Sequence, residues 1–297
     1  SSSYIYYTSK LLTRTYQGEM WSMKENIYLA AIDAGTTGER TMIFDKNGSV
    51  VAWRYLEHPS YSLKPAWVEQ EAAEWWDRIC KTSRAVLKEA ADEGITSDMI
   101  MGISVTNQRE TIVPVNKYVE PLRKAIVWQD RRTVSQCNWI KSNIGEDMVY
   151  NVTGLTVDPY FSAPKIMWIK EHEPNIYKET HKFLLVHDYI IAKLTEVFIT
   201  GWDNASRTML FDIRKFDWSD HLLDDIGING EKMPEPYKPG TRAEIMICQG
   251  LKTMGGNYSR EDLEQICMDV LATKIGDPRE LLKRSDLITA AVKETYG

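Results

Sequence analysis

The stretch IYLAAIDAGTTGER, residues 27–40, is an apolar run that ends on a carboxylate and turns at once into a small, hydroxyl-rich segment closed by an arginine. Ile27 to Ile32 is short, apolar and uncharged, which suits a strand buried on both faces of a sheet. Asp33 then sits where that strand leaves the core. Gly35 lets the backbone approach a ligand, Thr36 and Thr37 bring hydroxyls and amides, and Arg40 brings a permanent positive charge. An acid, a glycine, two threonines and a cation in that order could hold a phosphate and its magnesium. The same letters also fit a plain hairpin turn containing Asp and Gly, and on this stretch alone the two readings stand level.

Downstream, TMIFDKNGSVVAWRYLE places two β-rich runs around Asn47-Gly48, a pair suited to the positive φ of a tight hairpin. The first three strands are therefore expected to form an antiparallel meander. From Glu71 the period changes: Trp76, Ile79, Cys80, Ser83, Val86, Leu87 and Ala90 recur at helical steps with charged residues between them, and Gly94 closes the run. MIMGISVTNQRE and KAIVWQDRR then give two more apolar runs that end in polar clusters. Ligands of sheets covered by helices bind beyond the strand ends, so the clusters after Ile32, Val105 and Val127 are expected to converge on one cleft. From Glu146 onward the pattern is mostly helical, with Trp168, Tyr189, Ile190 and Leu194 as core.

A chain of 297 residues with 43% hydrophobic residues can fill one large core or two ordinary ones. A net charge of −6 and the lack of any Lys/Arg-rich run argue against nucleic acid as a partner. No apolar stretch approaches the roughly 18 residues of a membrane span. Cys80, Cys137, Cys248 and Cys267 are far apart and the histidines are scattered, which gives no zinc spacing and fits reduced thiols in a cytoplasmic protein. Residues 1–26 read as an extension outside the fold, with Met23 as a natural start. Residues 241–297 carry two amphipathic patterns and read as a short helical tail, which could pack on the preceding domain or on a second copy in a homo-oligomer.

TNQRET, residues 106–111, sets Arg109 beside Glu110 at a strand end, where a turn could aim both donors and an acceptor at the hydroxyls of a polyol. A solvated surface pair is the commoner origin of such a neighbour couple. Trp128 could wall the same site, although core packing is the usual role of a tryptophan, and Tyr160 carries the same ambiguity. Lys165 reads as a surface charge.

Taken together, DAGTT, TNQRET, AIVWQDRRT, TGLTVDPYFSAPK and NASRTML, in this order and spacing, resemble the amino-terminal half of the FGGY carbohydrate kinases, above all the glycerol kinase branch, from about Ile27 to about Gly240. The resemblance implies an α/β, actin-like or ribonuclease-H-like domain over residues 27–240, a mixed sheet with helices on both faces. It implies ATP and Mg2+ as cofactors, with Asp33 as the magnesium carboxylate and Gly35, Thr36, Thr37, Gly38 and Arg40 on the phosphate side. Arg109, Glu110, Trp128 and Tyr160 match positions that contact glycerol in the family. Phosphorylation of a small polyol or sugar, glycerol first, is the implied activity; a non-catalytic polyol-binding remnant and an actin-like ATPase or scaffold are the alternatives.

Three departures stand out. Gly38-Glu39 occupies the place of two serines and sets an acid near the phosphate loop, and Glu196 and Gly201 replace a usual glycine and aspartate. Nothing after Gly240 resembles the family's second domain with its catalytic base. The catalytic residue is therefore unknown, little or no turnover is expected of this chain alone, and any base within it would have to be an acid such as Asp130 or Asp203.

Overall fold

The computed structural model describes residues 27–240; the expected amino-terminal extension and helical tail lie outside the described residues. The apolar run becomes β1 (Tyr28–Ala34), which pairs antiparallel with β2 (Gly38–Asp45), and β2 pairs antiparallel with β3 (Val50–Glu57). The hairpin between β2 and β3 closes on Gly48 at φ +84°, while the Asp45 carboxylate accepts from the amides of Asn47 and Ser49. β1 continues two residues beyond Ile32, so Asp33 lies inside the strand, opposite Arg40.

Helix α1 (Ala72–Asp92) returns over this meander and delivers β5 (Ile100–Asn107), which joins the far edge of β1 in parallel. The sheet order is β3-β2-β1-β5. Ile43 and Ala52 meet Val86 and Ala90 of α1, and Thr41 Oγ1 lies 2.8 Å from Thr82 Oγ1 and 3.2 Å from Ser83 Oγ, so the buried hydroxyls satisfy one another. Trp75, not Trp76, is the fully buried tryptophan of α1; Trp76 packs at the margin of the same cluster.

A second, antiparallel sheet has the order β4-β7-β6-β8, built from β4 (Glu69–Gln70), β6 (Ile112–Val115), β7 (Ala125–Ile126) and β8 (Lys182–Leu185). All four residues of β6 are buried, which explains an apolar run without alternation. Val113 and Val115 face α1 and α6 (Val186–Thr195) through Trp75, Tyr189 and Ile190. Ile112 faces the other way, toward Ile140 of α2 (Val134–Asn143), Val149 of α3 (Glu146–Thr153) and Ile166 and Ile169 of α4 (Ser162–His172). Helices thus cover both faces of this sheet.

Beyond α4 come α5 (Pro174–Glu179), β9 (Ile199–Gly201), which pairs in parallel with β12 (Glu235–Tyr237), and α7 (Trp202–Ala205). The hairpin β10 (Phe211–Asp212) and β11 (Asp217–Trp218) then leads into α8 (Asp220–Ile226). Among the described residues, no helix is long and apolar enough to cross a membrane.

The departure at Glu196 has a backbone meaning. Glu196 caps α6 at φ +61°, ψ 12°, the left-handed position where glycine carries no Cβ penalty. Glu196→Gly is expected to raise stability by about 0.5–1 kcal/mol, measured by urea denaturation; an unchanged or lowered midpoint would contradict the cap as the reason for glycine there.

Candidate polyol and phosphate site

Because β1 and β5 run in parallel with Ala34 beside Asn107, their carboxyl ends open at the same edge. The Gly35–Thr37 turn leaves β1 there, closed by the Gly35 amide donating to Gly38 O at 3.0 Å. Gly38 is forced to be glycine: a Cβ would stand 2.5 Å from the Leu56 carbonyl oxygen and 2.6 Å from the Tyr55 ring. Tyr55 also lies 3.1 Å from Thr37 Oγ1 through its own hydroxyl, so the aromatic fills the place a serine side chain would take.

A cleft of about 340 Å3 opens between this turn and the end of β5, lined by Thr36, Asn107, Gln108, Arg109, Glu110, Trp128, Tyr160 and Arg207. All four polyol candidates are therefore together, joined by Thr36 from the phosphate-side set. The indole Nε1 of Trp128 donates to Thr36 Oγ1 at 3.1 Å, which ties the two candidate sets together across a sequence separation of 92 residues. The Tyr160 ring meets Trp128 edge-on, with centroids 5.5 Å apart.

Glutamine side chains support this edge from beneath. Gln108 Nε2 donates to Gln70 Oε1 at 2.8 Å, and Gln70 Nε2 donates to the Thr36 carbonyl at 2.9 Å. Trp75 Nε1 donates to the same Gln70 Oε1 at 3.1 Å. Thr111 Oγ1 donates to Gln108 Oε1 and accepts from the Trp128 amide, both at 3.1 Å. The turn after β1, the end of β5 and Trp128 are thus one hydrogen-bonded unit.

Glu110 is held most firmly. Its backbone stands at φ +63°, its carbonyl accepts from Ser162 Oγ at 3.1 Å, and its carboxylate is 2% exposed, with Oε1 accepting from Arg207 Nε at 2.6 Å. A solvated surface pair is excluded for Glu110. Arg109, its chain neighbour, is exposed and lines the cleft. Burial raises the Tyr160 phenol above its ordinary value and Glu110 adds to this, while Arg207 opposes it. The group therefore stays a protonated donor at neutral pH.

Tyr160 is placed by a lysine that the sequence suggests is at the surface. Lys165 is fully buried instead, and Nζ donates to the carbonyls of Pro159, Tyr160 and Phe161 at 3.0, 2.5 and 2.9 Å. Three acceptors for three ammonium protons explain how the charge is tolerated, although burial pulls its pKa down to about 7. Asp130 is likewise unsuited to act as a base: it is buried, receives the Val68 amide at 2.6 Å and pairs with Arg132. Asp203 is exposed and does not line the cleft.

Asp33 and Arg40 face each other across β1 and β2 at 3.9 Å, half-exposed and outside the cleft lining. Among the described residues, no group of three or more His, Cys, Asp or Glu gathers as a metal site. A single accessible carboxylate suits magnesium that keeps waters and takes its other oxygens from phosphates. Glu39, the acid set near the phosphate loop by the sequence, is turned inward and 0% exposed, 3.3 Å from His58 Nε2. It does not confront a phosphate at the surface of the turn. Burial pushes Glu39 up to about 7 against the pull of His58.

Arg207, Gln108 and Asn107 line the cleft without being candidates from the sequence, although NASRTML and TNQRET, which contain them, are among the strings that carry the resemblance.

The profile of the FGGY family of carbohydrate kinases, N-terminal domain, matches residues 28–258. A glycerol kinase of Thermococcus gammatolerans is 34% identical over 274 residues, covering 91% of this chain and 52% of that protein. A glycerol kinase of Escherichia coli O81 is 38% identical over 220 residues, covering 72% of this chain and 43% of that protein. The chain thus spans about half the length of the curated relatives it matches. In three dimensions, the crystal structure of Plasmodium falciparum glycerol kinase with ADP superposes with a TM-score of 0.68 at 27% identity, over 71% of this chain and 43% of that one. A Brucella ovis xylulose kinase gives a TM-score of 0.66 at 25% identity, over 71% and 43%.

Proposed function

We propose that this chain, which belongs to the FGGY family of carbohydrate kinases, carries the polyol-binding half of a site for ATP-dependent phosphorylation of a small polyol or sugar, with glycerol the first choice. The observation that carries the reading is the meeting of Arg109, Glu110, Trp128 and Tyr160 in one small cleft that opens onto Thr36. An exposed guanidinium, a protonated phenol and a buried carboxylate offer a polyol both donors and an acceptor, and the indole offers its carbon skeleton an apolar wall. The relatives named glycerol kinase favour glycerol over a pentulose.

ATP with its magnesium supplies the γ-phosphoryl group when bound. Asp33 would hold the magnesium through water, and Thr36, Thr37 and Arg40 stand on the turn and strand beside it. The chain's own contribution is to fix the hydroxyl-bearing ligand against the turn through the Trp128 to Thr36 hydrogen bond and the glutamine network.

Binding of glycerol to the chain tests the reading. Glycerol should bind, and Arg109→Ala should weaken it by about 1–3 kcal/mol, since a ligand hydroxyl then loses a charged donor; this is roughly 5- to 150-fold in Kd. Titration calorimetry with equal affinity in wild type and variant, or with no binding to wild type, would overturn it.

A further inference from the structure

We infer that Arg207 is a positioning and specificity-determining residue of the polyol cleft, fixing the Glu110 carboxylate through Oε1 so that Oε2 receives one particular ligand hydroxyl. The proposal rests on the polyol reading above and deepens it.

Glu110 and Arg207 are 97 residues apart, yet the Nε to Oε1 contact is 2.6 Å. The carboxylate is buried, and Arg207 is the cation that hydrogen-bonds it. A buried carboxylate with two equivalent oxygens and no fixed partner could rotate about its last torsion, which is soft and roughly two-fold. Clamping Oε1 removes that freedom, the Tyr160 phenol is a second hydrogen-bonding partner of the same carboxylate, and the acceptor capacity that remains has a defined direction.

Arg207 is itself held. Its guanidinium lies 5.2 Å from the Phe161 ring centroid and 6.0 Å from that of Tyr160, and its amide donates to the Asn204 carbonyl at 3.0 Å. The adjacent Thr208 carbonyl accepts from the Ala163 amide at 2.9 Å, at the head of the helix whose Ser162 holds the Glu110 carbonyl. One short segment therefore fixes Glu110 by its side chain through Arg207 and by its backbone through the start of α4. Lysine cannot reproduce this, because it lacks the planar fork and the Nε donor.

Selectivity among ligands is the consequence that separates positioning from mere support. If Arg207 aims Glu110 at one hydroxyl, its removal penalises ligands that carry that hydroxyl and spares the analogue that lacks it. The test is an NMR titration of wild type, R207M and R207K with glycerol, 1,2-propanediol and 1,3-propanediol. R207M is expected to weaken glycerol and one diol by at least about 10-fold and to leave the other diol within about 2-fold. R207K should show the same pattern with smaller losses, and it decides the matter if R207M does not fold. In an E110Q background, R207M should add little further loss for glycerol. Equal losses for all three ligands, or none, would overturn the assignment while glycerol binding by wild type stands; absence of glycerol binding by wild type would overturn the polyol reading together with it.

Discussion

Between pH 5 and pH 8 the folded protein is expected to lose about 3 kcal/mol of stability, and Glu39→Gln is expected to remove most of that loss. The Glu39 and His58 side chains are 0% and 1% exposed, with Nε2 and Oε1 3.3 Å apart, and His58 is the partner that pulls the Glu39 pKa down against its burial. A carboxylate in the core beside a single imidazole is costly while it is charged. Burial already holds its pKa at about 7, so at pH 5 the group takes up a proton and the cost shrinks.

Glu39 is raised from 4.5 to about 7, so between those values the folded state holds a proton that the unfolded state releases, and stability falls as pH rises. Burial works against the His58 imidazolium, but Glu39 and the carbonyls of Pro59 and Gly35 outweigh it and raise the group above 6.5. Its stabilisation is full below 6.5 and is lost as pH rises through the folded value. Both groups therefore act in the same direction. The other facing charges, Asp33 and Arg40, pair with each other at the surface.

Glu39→Gln should flatten the slope between pH 5 and 8. Urea denaturation at the two pH values reads all of this. A slope as steep in Glu39→Gln as in the wild type would show that the buried carboxylate does not carry the linkage. The readout bears on the site as well, because His58 Nε2 is 3.4 Å from the Gly35 carbonyl and its amide donates to Thr37 O at 3.1 Å.

The sequence made β1, the Asn47-Gly48 hairpin, α1 and β5 legible because each is a local pattern: an apolar run, a turn dipeptide, a helical period. The convergence of their ends followed from a general rule about sheets covered by helices. The second sheet was legible only at β7, inside KAIVWQDRR; its pairing was not, since β4 and β7 have two residues each and no period can be read from two residues. Lys165 looked like a surface charge because its carbonyl acceptors are created by the Pro159–Phe161 loop, which no composition rule foresees. Glu39 looked like an intruder near phosphate because its partner, His58, lies across the sheet hairpin. Arg207 was visible in a motif, but its role depends on a contact 97 residues away. Local chemistry was readable; which charge meets which was not.

Trp75→Ala should cost about 3–5 kcal/mol and disturb the cleft as well as the core. Trp75 is 0% exposed and sits where α1, β6 and α6 meet, its ring edge-on to Tyr189 with centroids 6.1 Å apart. Truncation removes an indole from a close-packed junction between the two sheets, and nothing adjacent is free to refill it. Its neighbour Trp76 is only partly buried, so Trp76→Ala should cost markedly less. Trp75→Phe separates packing from polarity: it keeps most of the volume but deprives Gln70 Oε1 of one donor. That loss is worth about 0.5–1.5 kcal/mol in stability, and Gln70 is also the residue that holds the Thr36 carbonyl and receives Gln108. Glycerol affinity should therefore fall in Trp75→Phe although the substituted residue lies below the cleft and does not line it. Urea denaturation of the three variants, with glycerol titration of Trp75→Phe, tests both halves. Equal costs for Trp75→Ala and Trp76→Ala would contradict the packing, and an unchanged glycerol affinity in Trp75→Phe would mean that the glutamine network supports the fold without positioning the Thr36 turn.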